Sequence, residues 1–183
     1  MKIMSIIRSG TAYIRLQAHR VSGANISCTR RNHFGKGVSL YLDKGSSITF
    51  GKDIGLRDHV CVSARPKSEI VLGNKVFLNN GCQIIAHERI VLGDNVRCGQ
   101  NTMFFDHDYD YNALGGCSSK KFKCSPIIVG SGTWIGAGCI ILRGTKIGSN
   151  CVIGAGTVLK GVIPDNTIVV QKRENELRTL REK

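Results

Sequence analysis

The sequence predicts a mainly β chain wound into a solenoid of stacked, three-sided coils, and three observations predict it. An aliphatic residue recurs every six positions through the C-terminal third: Val129, Ile135, Ile141, Ile147, Ile153 and Leu159. Four residues after each of the first five stands a small residue: Thr133, Cys139, Thr145, Cys151 and Thr157. Composition is the third observation. Hydrophobic residues make up 42% but aromatics only 6%, so Val, Ile, Leu, Cys and 22 glycines must do the packing. A core of small and branched side chains suits thin stacked layers.

A period of six fits neither a 3.6-residue helix nor the two-residue alternation of a free strand. It fits short strands separated by tight corners, three to a coil, with strands of successive coils paired in parallel about 4.8 Å apart. The aliphatic and small positions then face inward. Gly130, Gly136, Gly148 and Gly154 directly follow the aliphatic residue, and glycine there is expected to serve corners that need positive φ. The first half carries the same code at wider spacing. "FGKDIGLRDHVCV" (50–62), "LGNKVFLNNGCQI" (72–84) and "LGDNVRCGQNTMF" (92–104) align with Gly51, Gly73 and Gly93 in register.

Taken in order, residues 1–35 lack the repeat and are expected to form an N-terminal cap, partly helical around "SIIRSGTAYIRLQAHR". Solenoid ends require such capping. Residues 36–170 form the β-helix, interrupted by a loop over 106–125 that leaves the coil and returns in register. The tail 171–183, "QKRENELRTLREK", reads as a helix with Leu177 and Leu180 on one face.

Net charge is +13, and residues 1–37 carry Lys2, Arg8, Arg15, Arg20, Arg30, Arg31 and Lys36 with no acid among them. That head suits an anionic surface such as a membrane face, or a solvated basic patch. Neither base-stacking aromatics nor a recognition element accompanies it, which argues against nucleic acid. No apolar run approaches the ~20 residues of a membrane span, and no signal peptide opens the chain. A cytoplasmic location is expected. The eight cysteines then read as thiols: Cys82, Cys139 and Cys151 occupy the small repeat position as core filler, whereas Cys117 and Cys124, in the loop, stay open.

Within the loop, His107 stands among Asp106, Asp108, Tyr109, Asp110 and Tyr111. An imidazole can take a proton at neutral pH, and a neighbouring carboxylate can fix its tautomer. A polar turn with an incidental histidine fits the local sequence equally well. His87 precedes His107 by twenty residues, placing it one coil below if both sit at corners. Stacked histidines raise a metal site, but no H-x-x-x-x-H pair completes a zinc set, so no metal is expected.

"VGSGTWIGAGCIILRGTKIGSNCVIGAGTVLKGVIPDNTIVV" (129–170), "FLNNGC" (77–82) and "DHDYDY" (106–111) resemble the hexapeptide-repeat acyltransferases, particularly the sugar O-acetyltransferases. The resemblance spans about residues 48–170 and implies a left-handed parallel β-helix, whereas ordinary parallel crossovers are right-handed. It further implies acetyl transfer from acetyl-CoA to a saccharide hydroxyl, with a homotrimer as the working form. His107 becomes the general base, while Asn79, Asp106, Tyr109 and Tyr111 serve the acceptor. Trp134, Gly136, Ala137, Ala155 and Lys160 serve the acetyl-CoA, and Lys172, Arg173 or Arg178 is expected to stand in for the family's basic residues at its nucleotide end. One departure stands out: the family's G-x-P-A turn after the last coil is replaced here by "VVQKRENELR". Other functions compatible with the sequence are N-acylation of an amino sugar, a metal protein like the γ-type carbonic anhydrases, and a non-catalytic scaffold.

Overall fold

The computed structural model describes residues 3–7 (backbone only), 23–29, 31–172, 174 and 176–177. Its architecture is a left-handed parallel β-helix of about six turns. Three seven-stranded sheets form the sides of the prism. The first face runs upward from Val38–Leu42 through Cys61–Ala64, Gln83–Ala86, Met103–Phe105 and Ile140–Leu142 to Val158–Leu159. On the second lie Asn25–Ser27, Ser47–Phe50, Glu69–Leu72, Arg89–Leu92, Ile127–Val129, Lys146–Ile147 and Val162–Ile163. The third carries His33–Phe34, Gly55–Leu56, Phe77–Leu78, Arg97–Cys98, Trp134–Ile135, Val152–Ile153 and Ile168–Val169.

The six-residue code explains the core directly. Val129, Ile135, Ile141, Ile147, Ile153 and Leu159 are all buried, as are Thr133, Cys139, Thr145, Cys151 and Thr157. Polar atoms at the small position are satisfied by corner carbonyls. Thr102 Oγ1 donates to Gly136 O at 2.9 Å, Thr133 Oγ1 to Gly148 O at 2.9 Å, and Cys139 Sγ to Gly154 O at 3.1 Å. Thr and Cys therefore fill an inward site while tying off backbone groups that burial would otherwise leave unpaired. Burial pushes the Cys82 thiol up to about 11, in keeping with an inert core residue.

The glycine column has a different cause from the one expected. Positive φ falls on the corner position two residues later, at Gly132, Gly138, Gly144, Asn150 and Gly156. The glycine after the aliphatic residue is instead forced by close approach. A Cβ on Gly136 would stand 2.6 Å from the amide nitrogen of Ala155, and one on Gly130 would stand 2.4 Å from that of Ser149. Gly51, Gly73, Gly93, Gly130 and Gly148 form one such column, so the chain resumes its register after the loop.

The boundaries also differ from the sequence reading. Asn25–Ser27 and His33–Phe34 already pair in parallel with the coil above, within the stretch 1–35 assigned to the cap. Ile3–Ile7 is a strand antiparallel to Val38–Leu42, closing that end of the first face. The rest of the expected helical segment of the cap, residues 8–20, lies outside the described residues. At the other end, residues 171, 172, 174, 176 and 177 have no helical structure; the remainder of the expected helix 171–183 lies outside the described residues. Among the described residues, no helix is long and apolar enough to cross a membrane.

Candidate active site

The loop is a hairpin on the corner between the first and second faces. His107–Tyr109 pairs antiparallel with Phe122–Cys124, and a short 3-10 turn over Gly116–Ser119 lies between them. Two ion pairs pin it: Asp110 to Lys123 at 3.1 Å, and Asp108 to the Arg143 guanidinium. Lys123 also lies 5.5 Å over the ring of Tyr111.

At the hairpin's root, Asp106 is fully buried. Its Oδ1 accepts the His87 amide and its Oδ2 accepts the amides of Glu88 and Arg89, each at 2.8 Å. His107 Nδ1 lies 3.2 Å from Oδ1. Burial raises the pKa of this carboxyl, but the bonds from His107 and the three amides outweigh that and hold it below its usual value. An ionised carboxylate can only accept, so Nδ1 carries the hydrogen and Nε2 is left with its lone pair. This removes Asp106 from the acceptor-contacting residues: it has no exposed atoms, and both oxygens serve the chain. Its Oδ1 lies against the His107 imidazole instead.

His87 stacks on His107 with ring centroids 3.8 Å apart and an interplanar angle of 26°. Phe122 closes the other side, 4.2 Å from His87 and 5.6 Å from His107, and also meets Tyr109 at 4.8 Å. Burial first, and the neighbouring His107 second, push the His87 pKa down to about 4. His87 is thus neutral at pH 7, an uncharged plate beneath His107. Among the described residues, no group of three or more His, Cys, Asp and Glu side chains is arranged to hold a metal ion.

The other expected residues divide between two corners. Tyr109 and Tyr111 are exposed on the hairpin beside His107. Lys160 is exposed at the top of the same corner. Asn79 sits at the corner between the third and first faces, where its Oδ1 accepts the Asn80 amide at 2.8 Å. Trp134, 57% exposed, lies on the third face. Ala137 and Ala155 are exposed on the corner beyond it, and the stacking of coils accounts for the buried Gly136. The side of a coil separates the two groups, about 13 Å for a four-residue strand at about 3.3 Å per residue. One chain therefore does not bring Asn79 to His107. Arg173 and Arg178 lie outside the described residues. The sequence reading missed Phe122 and Arg143. It had stacked His87 under His107 only as a metal candidate.

The bacterial transferase hexapeptide family, in its six-repeat form, matches residues 126–161. The chain thus carries bacterial transferase hexapeptide repeats over that stretch. A Mycobacterium tuberculosis protein named a probable acetyltransferase is 31% identical over 161 residues, covering 86% of this chain and 53% of that protein. The chain thus spans about half the length of that curated relative. A maltose O-acetyltransferase from Clostridium difficile is 32% identical with a TM-score of 0.59, covering 68% of this chain and 63% of that one. A galactoside acetyltransferase solved with coenzyme A is 27% identical with a TM-score of 0.57, covering 63% and 58%.

Proposed function

We propose that this chain transfers an acetyl group from acetyl-CoA to a hydroxyl of a saccharide, with His107 as general base. The observation that carries the reading is the buried Asp106 carboxylate bonded to His107 Nδ1, in a hexapeptide-repeat fold whose relatives include sugar acetyltransferases. His107 Nε2 takes the proton of the acceptor hydroxyl as its oxygen attacks the thioester carbonyl. The tetrahedral intermediate then expels the CoA thiolate, and the imidazolium returns the proton to sulfur. Asp106 steadies that imidazolium, and neutral His87 adds no opposing charge. General-base help of this kind is worth roughly 10²–10⁴-fold; holding both substrates in place supplies the rest.

A homotrimer is part of the reading. Met103, Phe105, Ile140 and Leu142 point outward from the first face with partial burial, and Val158 is exposed beside them. Covering this row with a second copy would bring that copy's Asn79–Ala137–Ala155 corner toward His107. Lys160 and Trp134 would then flank the donor from two chains. A cytoplasmic location, with the basic head against an anionic membrane surface, completes the proposal.

The test is product analysis after incubation with acetyl-CoA, using neutral sugars, amino sugars and capsule-type oligosaccharides as acceptors. The reading expects a base-labile acetyl ester on a hydroxyl. A base-stable amide on an amino sugar would reassign the reaction to N-acylation, and no acetylated product from any acceptor would sink it.

A further inference from the structure

The corner that carries His107 continues downward beyond the catalytic pair. Asp43 and Arg65 each follow a strand of the first face, as His87 does, and the ladder donates Asp43 N to Ala64 O and Arg65 N to Ala86 O. Asp43, Arg65, His87 and His107 thus stand in one column, one coil apart. With coils about 4.8 Å apart, the base of Arg65 lies about 10 Å below that of His107. Arg65 and Asp43 also act electrostatically on His87, which places them within range of the histidine stack.

A cavity of about 180 Å³ opens here, lined by Tyr41, Asp43, Cys61, Ser63, Arg65 and Ile85. Its ceiling, Ile85, pairs with Phe105 in the coil above, and the Phe105 ring centroid lies 6.1 Å from that of His107. Ile85 and Phe105 thus stand in succession between the cavity and His107. The cavity's volume falls below that of a complete ligand pocket, roughly 300–1,000 Å³, and suits one substituent of a larger molecule. Among the described residues that line it, Arg65 is the one cation. Its nearest carboxylate, on Asp43, is 3.7 Å away, beyond hydrogen-bonding distance. A guanidinium so loosely paired keeps its planar fork available for a second anion. Three other cations around His107 are engaged more closely: Lys123 by Asp110 at 3.1 Å, Arg89 by Glu69 at 2.8 Å, and Arg143 by Asp108.

We propose that Arg65 and this cavity form an anion-recognising subsite, so that the acceptor is a saccharide bearing a carboxylate or phosphate. The sugar spans from Arg65 to His107, with the anion at one end and the reacting hydroxyl at the other. The inference rests on the acetyl-transfer reading for the identity of the reacting end, but the subsite itself is tested by binding alone.

The experiment is calorimetric titration of the full chain, without donor, with glucuronate, glucose 6-phosphate and glucose. Wild type is expected to bind at least one of the two anions at least tenfold more tightly than glucose, and whichever anion wins identifies the substituent. Arg65→Gln is expected to weaken that anion by roughly 10- to 100-fold and to leave glucose unchanged. Asp43→Asn removes the competing carboxylate and is expected to tighten the anion. The proposal is overturned if both anions bind no better than glucose, or if Arg65→Gln weakens glucose and the anions equally. Anion binding through Arg65 in a chain that acetylates nothing would keep the subsite and remove the transferase reading. Acetyl transfer without anion preference would do the reverse.

Discussion

At the scale of single residues, the proposed reaction turns on a division of labour between Asp106 and His107. The carboxylate is held by three backbone amides, so it is fixed before any substrate arrives. Asp106→Asn keeps the shape but presents an amide to His107, and its NH₂ can reverse the tautomer. A fall in kcat of at least tenfold with little change in KM is the expected result, read from initial rates. His87 gives a pH prediction. Its folded pKa, about 4, is below its reference value of about 6.5, so the unfolded chain binds the proton more readily. Stability therefore falls as pH drops from about 6.5 toward 4. Asp106, with its lowered pKa, adds loss in the same direction at still lower pH. Thermal melts across that range should show a shallower acid loss for His87→Asn than for wild type. His107 was legible in the sequence as the histidine at the root of a long excursion. Phe122 was not: it reaches the imidazoles only because the hairpin folds back, a tertiary event that leaves no periodic trace.

At the scale of the strand and corner, two glycines in one turn answer to different forces. Gly136 admits no side chain, since a Cβ would stand 2.6 Å from the backbone of the next coil, whereas a Cβ on Gly138 meets nothing within 4 Å but φ is +66°. Gly136→Ala should cost about 1–3 kcal/mol by overpacking, and Gly138→Ala about 1–2 kcal/mol from its left-handed backbone. The discriminating variant is Gly138→Asn, which tolerates that backbone and should recover most of the loss in a urea titration. Gly136→Asn should recover none. The repeat was plain where the period is strictly six. It was obscured lower down, where Ile26, Ile48 and Ile70 stack at intervals of 22 residues because the sides lengthen to four- and five-residue strands such as Val38–Leu42. That widening hid the first coil inside the expected cap.

For the whole molecule, the two groups of site residues sit on different corners of the prism, and a single chain cannot join them. Three copies packed through the outward row of the first face would. Sedimentation equilibrium is expected to give three chains, and Leu142→Asp, on that row, should yield monomers with acetyl transfer reduced at least tenfold. A wild-type monomer that retains full activity would refute the shared site. The decisive measurement concerns His107→Ala: its rate of thiol release from acetyl-CoA with a working acceptor, measured beside its affinity for CoA. Loss of roughly 10²–10⁴-fold in kcat with CoA affinity unchanged is what a general base predicts. Unchanged kcat, or a loss matched by lost CoA binding, would contradict it.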